Sequence, residues 1–113
     1  MSSRIRSWAN NIFVSVDLVA RLDGDFRLAS LLSALKAHVH YETEWGSPSP
    51  HMLAIDYTYC TALRIRNNVL QRLVRQAVKM GVLTQHTNAQ GLSPDAHVYE
   101  VHLERIEQLE CGT

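Results

Sequence analysis

The sequence predicts an α+β fold that is mostly helical and ends in a β-hairpin, and three observations lead to this prediction. Residues 66–80 have the spacing of an amphipathic helix, with apolar residues on one side and basic or amide residues on the other. Gly81 follows at the position where a left-handed C-terminal cap is needed. Segments 82–87 and 97–103 then show the β-branched content and alternation of paired strands. A chain of 113 residues can form one domain with a modest core.

The N-terminal third predicts a short strand and two helices. Residues 12–16, IFVSV, have strand-like content and could pair with the C-terminal hairpin. Asp17 is the candidate cap of a short helix that carries Leu18, Val19 and Leu22. Asp23, Gly24 and Asp25 form a turn, with Asp25 as the cap of a Leu-rich helix over residues 26–40. The segment WGSPSP, residues 45–50, is a loop.

Residues 51–62 fit two patterns. As a helix, Met52, Ile55 and Tyr59 would share one face, whereas as a strand Leu53, Ile55 and Tyr59 would alternate with smaller or polar residues. The β-branched and tyrosine content favours a strand. We predict a helix, because a basic helix that belongs to a two-helix motif needs another helix before it.

The charge distribution is more informative than the formal net charge, which is zero. Residues 57–94 contain five basic residues and no acidic one, and the other parts of the chain hold six basic and eleven acidic residues. A protein with one positive face can bind DNA even when the rest of its surface is negative. Because this face would neutralise only a few phosphates, we expect its affinity for non-specific DNA to be weak. After a polar loop at 88–96, Tyr99, Val101 and Leu103 share one face of the returning strand, and residues 104–110 could add a short acidic helix.

These elements together resemble the winged helix-turn-helix superfamily and, more narrowly, the N-terminal DNA-binding domains of phage and plasmid replication initiators. The resemblance covers residues 12–103, and its most specific part is IRNNVLQRLVRQAVKMGVL, residues 65–83. It also includes the Leu-rich helix and Trp45 in the following loop. It implies a flexible N-terminal arm at 1–11, a winged-helix domain at 12–103 and a short C-terminal helix or tail at 104–113.

In proteins of this superfamily the second helix of the motif enters the major groove of DNA by its N-terminal half. Arginine pairs bidentately with guanine, and asparagine or glutamine pairs with adenine, whereas basic residues further along suit phosphates. The hairpin loop has histidine and asparagine but no arginine or lysine, which suggests that it is passive or binds protein. The DNA-binding residues implied are Arg64, Arg66, Asn67, Asn68, Gln71, Arg72, Arg75, Lys79, His86 and Asn88.

Two positions depart from the family pattern. The family usually has glycine where Arg64 stands, so a residue with a side chain must make the bend, at some strain. It usually has a serine or threonine cap where Arg66 stands, and Asn67 or Asn68 is the candidate replacement. The rival interpretation is one continuous helix over residues 58–80, which would remove the helix-turn-helix.

Other function classes find little support in the sequence. His38 and His40 point apart on a helix, as do His97 and His102 on a strand, and no CxxC or HExxH pattern occurs, so we expect no metal. No glycine-rich phosphate loop is present, a structural role is the commoner one for Cys60, and we expect no enzyme and no cofactor. No apolar run is long enough to span a bilayer, and two cysteines without a framework suggest a reducing cytoplasm.

The sequence therefore predicts a small cytoplasmic protein that binds duplex DNA, as a homodimer matched to a palindromic site. It would be a transcriptional regulator, or an origin- or partition-site binder in plasmid or phage DNA replication. The alternative is a protein-binding adaptor, antiactivator or phage-encoded inhibitor that uses the same scaffold to hold a protein partner.

Overall fold

The computed structural model describes residues 12–86 and 98–111, and these ranges contain five helices and three strands. The predicted α+β class is confirmed. The arm predicted at residues 1–11 and the loop predicted at residues 88–96 lie outside the described residues. In chain order the elements are α1 Val16–Arg21, α2 Phe26–Glu44, β1 Met52–Ala54, α3 Tyr57–Leu63, α4 Asn67–Lys79, β2 Leu83–His86, β3 Val98–Val101 and α5 Leu103–Cys111.

The prediction of a short strand near the N-terminus is wrong. Residues 12–15 have no regular secondary structure, and Val16 already begins α1. The cap of α1 is Ser15 rather than Asp17, because the Ser15 hydroxyl accepts a hydrogen bond from the Leu18 backbone N–H at 3.2 Å. Asp17 lies in the first helical turn, where a negative charge is favourable.

Helix α2 is the central element of the fold. The predicted cap is confirmed, because Asp25 Oδ1 accepts from the Leu28 N–H at 3.0 Å. The helix is longer than predicted and ends at Glu44, just before the predicted Pro-Ser loop. Its leucine face forms the middle of the hydrophobic core. The core residues of α2 are Leu28, Ala29, Leu31, Leu32, Ala34, Leu35 and Val39.

The ambiguous stretch after the loop contains both of the structures that its pattern suggested. Met52–Ala54 form the strand β1, and Tyr57–Leu63 form the helix α3, so the choice of helix alone was wrong for the first part. Asp56 separates the two elements, and its Oδ1 accepts hydrogen bonds from both the N–H and the hydroxyl of Thr58.

The three strands form one antiparallel sheet in the order β1-β3-β2. Tyr99 of the central strand faces Leu53 on one side and Gln85 on the other. Tyr99, Val101 and Leu103 were predicted to share one face of the last strand. Tyr99 and Val101 are buried on that face, but Leu103 belongs to α5 instead of the strand. Strand β1 thus occupies the place beside the hairpin that the N-terminal segment was expected to fill.

Helix α5 extends beyond the predicted residues 104–110 by one residue at each end. It packs against α1 and α2, and Ile106 is fully buried there. Lys36 Nζ of α2 donates to Glu110 Oε1 at 2.6 Å, which ties the end of the helix to the body. None of the helices in the described ranges is long and apolar enough to cross a membrane.

Candidate nucleic-acid interface

Helices α3 and α4 are separate elements joined by a three-residue bend. Arg64 adopts the left-handed conformation, with φ 56° and ψ 49°, and Arg66 is extended with φ −80° and ψ 159°. The Ile65 N–H donates to the Cys60 carbonyl at 3.0 Å and closes the end of α3. The rival interpretation of one continuous helix is therefore wrong, and the bend lies at the residue where the sequence predicted it.

The N-terminus of α4 has no side-chain cap. Arg66 occupies the cap position without a side-chain hydrogen bond, so the prediction that Asn67 or Asn68 caps the helix is wrong. Asn67 and Asn68 lie inside the helix, one and two positions past the cap. Asn68 Oδ1 accepts from the adjacent Val69 N–H at 3.0 Å. The first turn therefore presents N–H groups, two asparagine side chains and the positive end of the helix dipole at one place.

One side of α4 is buried and the other is in solvent, as the periodicity predicted. Leu70, Leu73, Val74 and Ala77 are buried against the core, and Val69 and Met80 are partly buried beside them. The opposite side carries the residues that the resemblance assigned to DNA. Arg64, Arg66, Asn67, Asn68, Gln71, Arg72, Arg75 and Lys79 are all exposed. We call these eight residues the α4 face.

The cations of the α4 face have no ion pair with any carboxylate in residues 12–86 and 98–111. The ion pairs found there involve Lys36 and three histidines instead. A cation without an intramolecular partner keeps its full charge available for a ligand, so the α4 face presents five positive charges to solvent.

The end of α4 is fixed by the predicted glycine cap. Gly81 has φ +78°, the Val82 N–H donates to the Ala77 carbonyl at 3.0 Å, and the Gly81 N–H donates to the Val78 carbonyl at 3.1 Å. These are the two hydrogen bonds of a Schellman motif, which turns the chain directly into β2. The orientation of the α4 face relative to the hairpin is thereby set by backbone geometry.

The hairpin residues predicted to bind DNA differ from the α4 face. His86 Nε2 lies 3.1 Å from Glu100 Oε1, so a carboxylate of the neighbouring strand faces the ring. On the same side of the sheet Thr84 Oγ1 is 2.7 Å from His102 Nε2, and Glu104 approaches His102 at 3.9 Å. Asn88 lies outside the described residues. A DNA contact by His86 or Asn88 stays a prediction.

A buried hydrogen bond between α2 and α3 was not anticipated from the sequence. The Tyr59 side chain is fully buried, and its hydroxyl is 2.7 Å from His38 Nδ1. Burial, followed by the nearby carboxylates of Asp56 and Glu42, raises the Tyr59 pKa well above its ordinary value of 10.0. The hydroxyl therefore stays protonated and can donate a hydrogen bond to His38. This hydrogen bond holds α3 against α2 and so helps to position the start of the bend.

Searches against protein families, curated proteins and solved structures find no match for this chain. Within the described ranges no group of three or more histidine, cysteine or acidic side chains could hold a metal ion. Cys60 is half-buried, Cys111 is exposed, and both are free thiols. The α4 face is therefore the functional candidate that the geometry itself supports best.

Proposed function

We propose that this chain is a winged helix-turn-helix protein that binds duplex DNA sequence-specifically, with α4 in the major groove. The observation that carries the proposal is the left-handed bend at Arg64. It separates α4 from α3, so that the exposed α4 face holds five cations, none of which is paired with a carboxylate of the described residues, and three amide side chains.

The arrangement of the other elements supports the same proposal. Two helices joined by a tight bend are followed at once by a β-hairpin, and the hairpin closes a small sheet with the strand that precedes the first of those helices. The helix, bend, helix and hairpin follow the order that the resemblance to winged-helix proteins implies, whereas the third strand is β1 instead of the N-terminal strand that was expected. The buried side of α4 packs on α2 and β2, so the helix is supported from behind while its polar side faces outward.

The dimensions and chemistry of α4 match the groove. Its 13 residues span roughly 20 Å at 1.5 Å per residue, and a major groove about 12 Å wide admits one such helix. Arg66, Asn68 and Gln71 lie in its N-terminal half or just before it and would read base edges. Arg75 and Lys79 lie further along and would hold phosphates, which position the protein without specifying sequence.

A salt titration on random-sequence duplex DNA tests the electrostatic part of the proposal. Each phosphate contact contributes a slope of about −0.9 to log K against log salt, so five contacts would give a slope of about −4 to −5. We expect measurable affinity at low salt and a steep decline as salt rises. Undetectable duplex affinity at low salt would contradict the proposal.

Charge reversal locates the contact on the protein. Arg72→Glu and Arg75→Glu change exposed positions of α4, and each should lower affinity about tenfold and reduce the salt slope by at least about 1. Arg27→Glu is the matched control, because Arg27 is an exposed arginine in the first turn of α2, outside the α4 face. An equal loss in the control variant would mean that net charge, rather than α4, determines binding.

Sequence specificity has its own measurement. Selection of binding sites from a random duplex library should give one preferred sequence for the unaltered protein. Gln71→Ala should relax the preference at one base pair and cost about 1–3 kcal/mol on the preferred site. Lys79→Ala should weaken binding to all sequences alike. A library that returns no preferred sequence would limit the function to non-specific binding.

In the cell such a protein would regulate transcription, or bind the origin or partition site of a plasmid or phage. We propose that it acts as a homodimer on a palindromic site, since a two-fold protein matches two half-sites about one helical turn apart. Sedimentation of the free protein and of its DNA complex tests this. One protein per selected site, without sequence symmetry, would exclude the dimer.

A protein partner is the second candidate, and the carboxylates beside the hairpin favour it. Glu100 and Glu104 lie on the outer side of the sheet near His86 and His102, which is unfavourable next to a phosphate backbone. The net charge of zero also favours a partner less charged than DNA. In this case α4 would bind an acidic protein surface, as expected of an adaptor, antiactivator or phage-encoded inhibitor, and duplex DNA would bind undetectably at low salt.

A further inference from the structure

A cavity of about 630 Å³ lies on the side of α2 that faces away from the leucine core. Residues 13–15, the part of α2 from Ser33 to Glu44, and Glu110 of α5 line it, and it opens to solvent. Residues three or four positions apart share a helix face, and the cavity residues of α2 follow this spacing from Ser33 to Glu44. Its volume falls within the range of small-molecule sites. The aromatic and polar side chains that line it include Phe13, Ser33, Lys36, His40, Tyr41, Glu44 and Glu110.

Ser33 supplies an unused polar group in this cavity. The residue is only 3% exposed, and its Oγ has no hydrogen-bond partner within the described residues. A buried hydroxyl without a partner is unfavourable, and natural proteins satisfy nearly all such groups. The Ser33 hydroxyl is therefore available to hydrogen-bond a ligand that occupies the cavity.

The charges around the cavity determine what kind of ligand it can hold. Lys36 is already paired with Glu110 at 2.6 Å, so its charge is largely neutralised. Glu44 also lines the cavity, which leaves one net negative charge among these three side chains. The rings of Phe13 and Tyr41 provide apolar walls that also attract cations. Glu44 would disfavour an anionic ligand beside it and would stabilise a cation with an apolar body.

We propose that this cavity binds a small organic cation, an amine carried on an aromatic or aliphatic body. In this proposal the ammonium group lies near Glu44, the apolar body contacts Phe13 and Tyr41, and a hydrogen bond reaches Ser33 Oγ. The proposal does not depend on DNA binding, because none of these residues belongs to the α4 face.

Three probes of nearly equal shape test the charge preference: 2-phenylethylamine, 2-phenylethanol and phenylacetate. Titrations at neutral pH, followed by calorimetry or by backbone amide shifts, should give dissociation constants of about millimolar for the amine. The amine should bind roughly fivefold more tightly than the alcohol, and phenylacetate should bind most weakly. Equal affinity for all three probes, or no binding of the amine, would overturn the proposal.

Two variants identify the site, and both alter one polar group. Glu44→Gln should remove most of the preference of the amine over the alcohol, whereas Glu107→Gln, an exposed glutamate of α5 that does not line the cavity, should preserve it. Ser33→Ala should weaken amine binding roughly fivefold while the free protein stays at least as thermally stable, because the buried hydroxyl has no partner among residues 12–86 and 98–111. Equal effects of the two glutamate variants, or unchanged binding in Ser33→Ala, would contradict the assignment.

Discussion

Arg64 stores backbone strain at the bend, and we predict that Arg64→Gly stabilises the fold. With φ 56° and ψ 49°, Arg64 is left-handed, a conformation that costs a residue with a side chain roughly 1–2 kcal/mol and glycine almost nothing. Glycine also gains entropy in the unfolded chain, which offsets roughly 0.5–1 kcal/mol. The net gain is about 0.5–1 kcal/mol, or a rise in Tm of roughly 2–4 °C.

Urea unfolding and thermal melts of the free protein measure this gain. The same variant should bind duplex DNA several-fold more weakly, because one cation of the α4 face is removed. Arg64→Ala separates the two effects, since it removes the charge and keeps the strain. It should match the DNA affinity of Arg64→Gly without its added stability.

Asp23→Gly is the matched control for the backbone. Asp23 has φ 58°, and the N–H of the next residue, Gly24, closes α1 on the Val19 carbonyl as the Ile65 N–H closes α3 on the Cys60 carbonyl, yet Asp23 lies outside the α4 face. It should gain less stability than Arg64→Gly, because aspartate tolerates the left-handed conformation better than arginine, and it should leave DNA affinity nearly unchanged. If Arg64→Gly instead lost stability while Asp23→Gly gained it, the Arg64 side chain would be holding the bend, and the strain argument would fail.

Three further predictions concern the packing that holds α4 in place. Leu73→Ala removes a core side chain that is 1% exposed and should lower the free energy of unfolding in urea by about 2–5 kcal/mol. Val78→Ala, at a position 37% exposed, should lower it by less than about 1 kcal/mol. Equal losses would contradict the orientation of the helix. The Tyr59 pKa is raised in the folded state, so its stabilisation is complete below its unfolded value near 10.0 and is lost as pH rises through the folded value. Unfolding free energy should therefore begin to fall as pH rises past about 10.0 and continue to fall toward the higher folded pKa, and it should fall less in Tyr59→Phe. Parallel pH profiles would argue against a buried hydroxyl. Gly81→Ala should cost about 1–2 kcal/mol, because φ is +78° and the new Cβ would lie 2.9 Å from Arg105 Nη2. Adding Arg105→Ala removes that contact but not the backbone strain, so full recovery of stability in the double variant would assign the cost to the contact.

The basic helix, its glycine cap and the hairpin could be predicted from the sequence because each has a strong local signal. The apolar stripe of α4 repeats at helical spacing, and Gly81 is the residue type that the left-handed cap favours. The exposed α4 face follows directly from that periodicity. The bend at Arg64 was anticipated only through a resemblance, since no local propensity places arginine in the left-handed region.

The elements that could not be predicted depend on contacts between distant residues. Residues 12–15 have strand-like composition but do not pair, whereas Met52–Ala54 pair with β3 because Leu53 can be buried opposite Tyr99. Such a choice is made by tertiary packing, which strand propensity does not report. The contact between His38 and Tyr59 is likewise invisible to any local pattern, because neither residue type requires the other.

The position of β3 in the middle of the sheet has a consequence for biosynthesis. Strands β1 and β2 do not pair with each other, and each depends on a partner that the ribosome makes after both of them. A nascent chain that stops short of Val98 would expose two unpaired strand edges, which are prone to aggregate. The three-stranded sheet can therefore form only after β3 has been translated. We expect truncated products that lack β3 to be insoluble rather than partly functional.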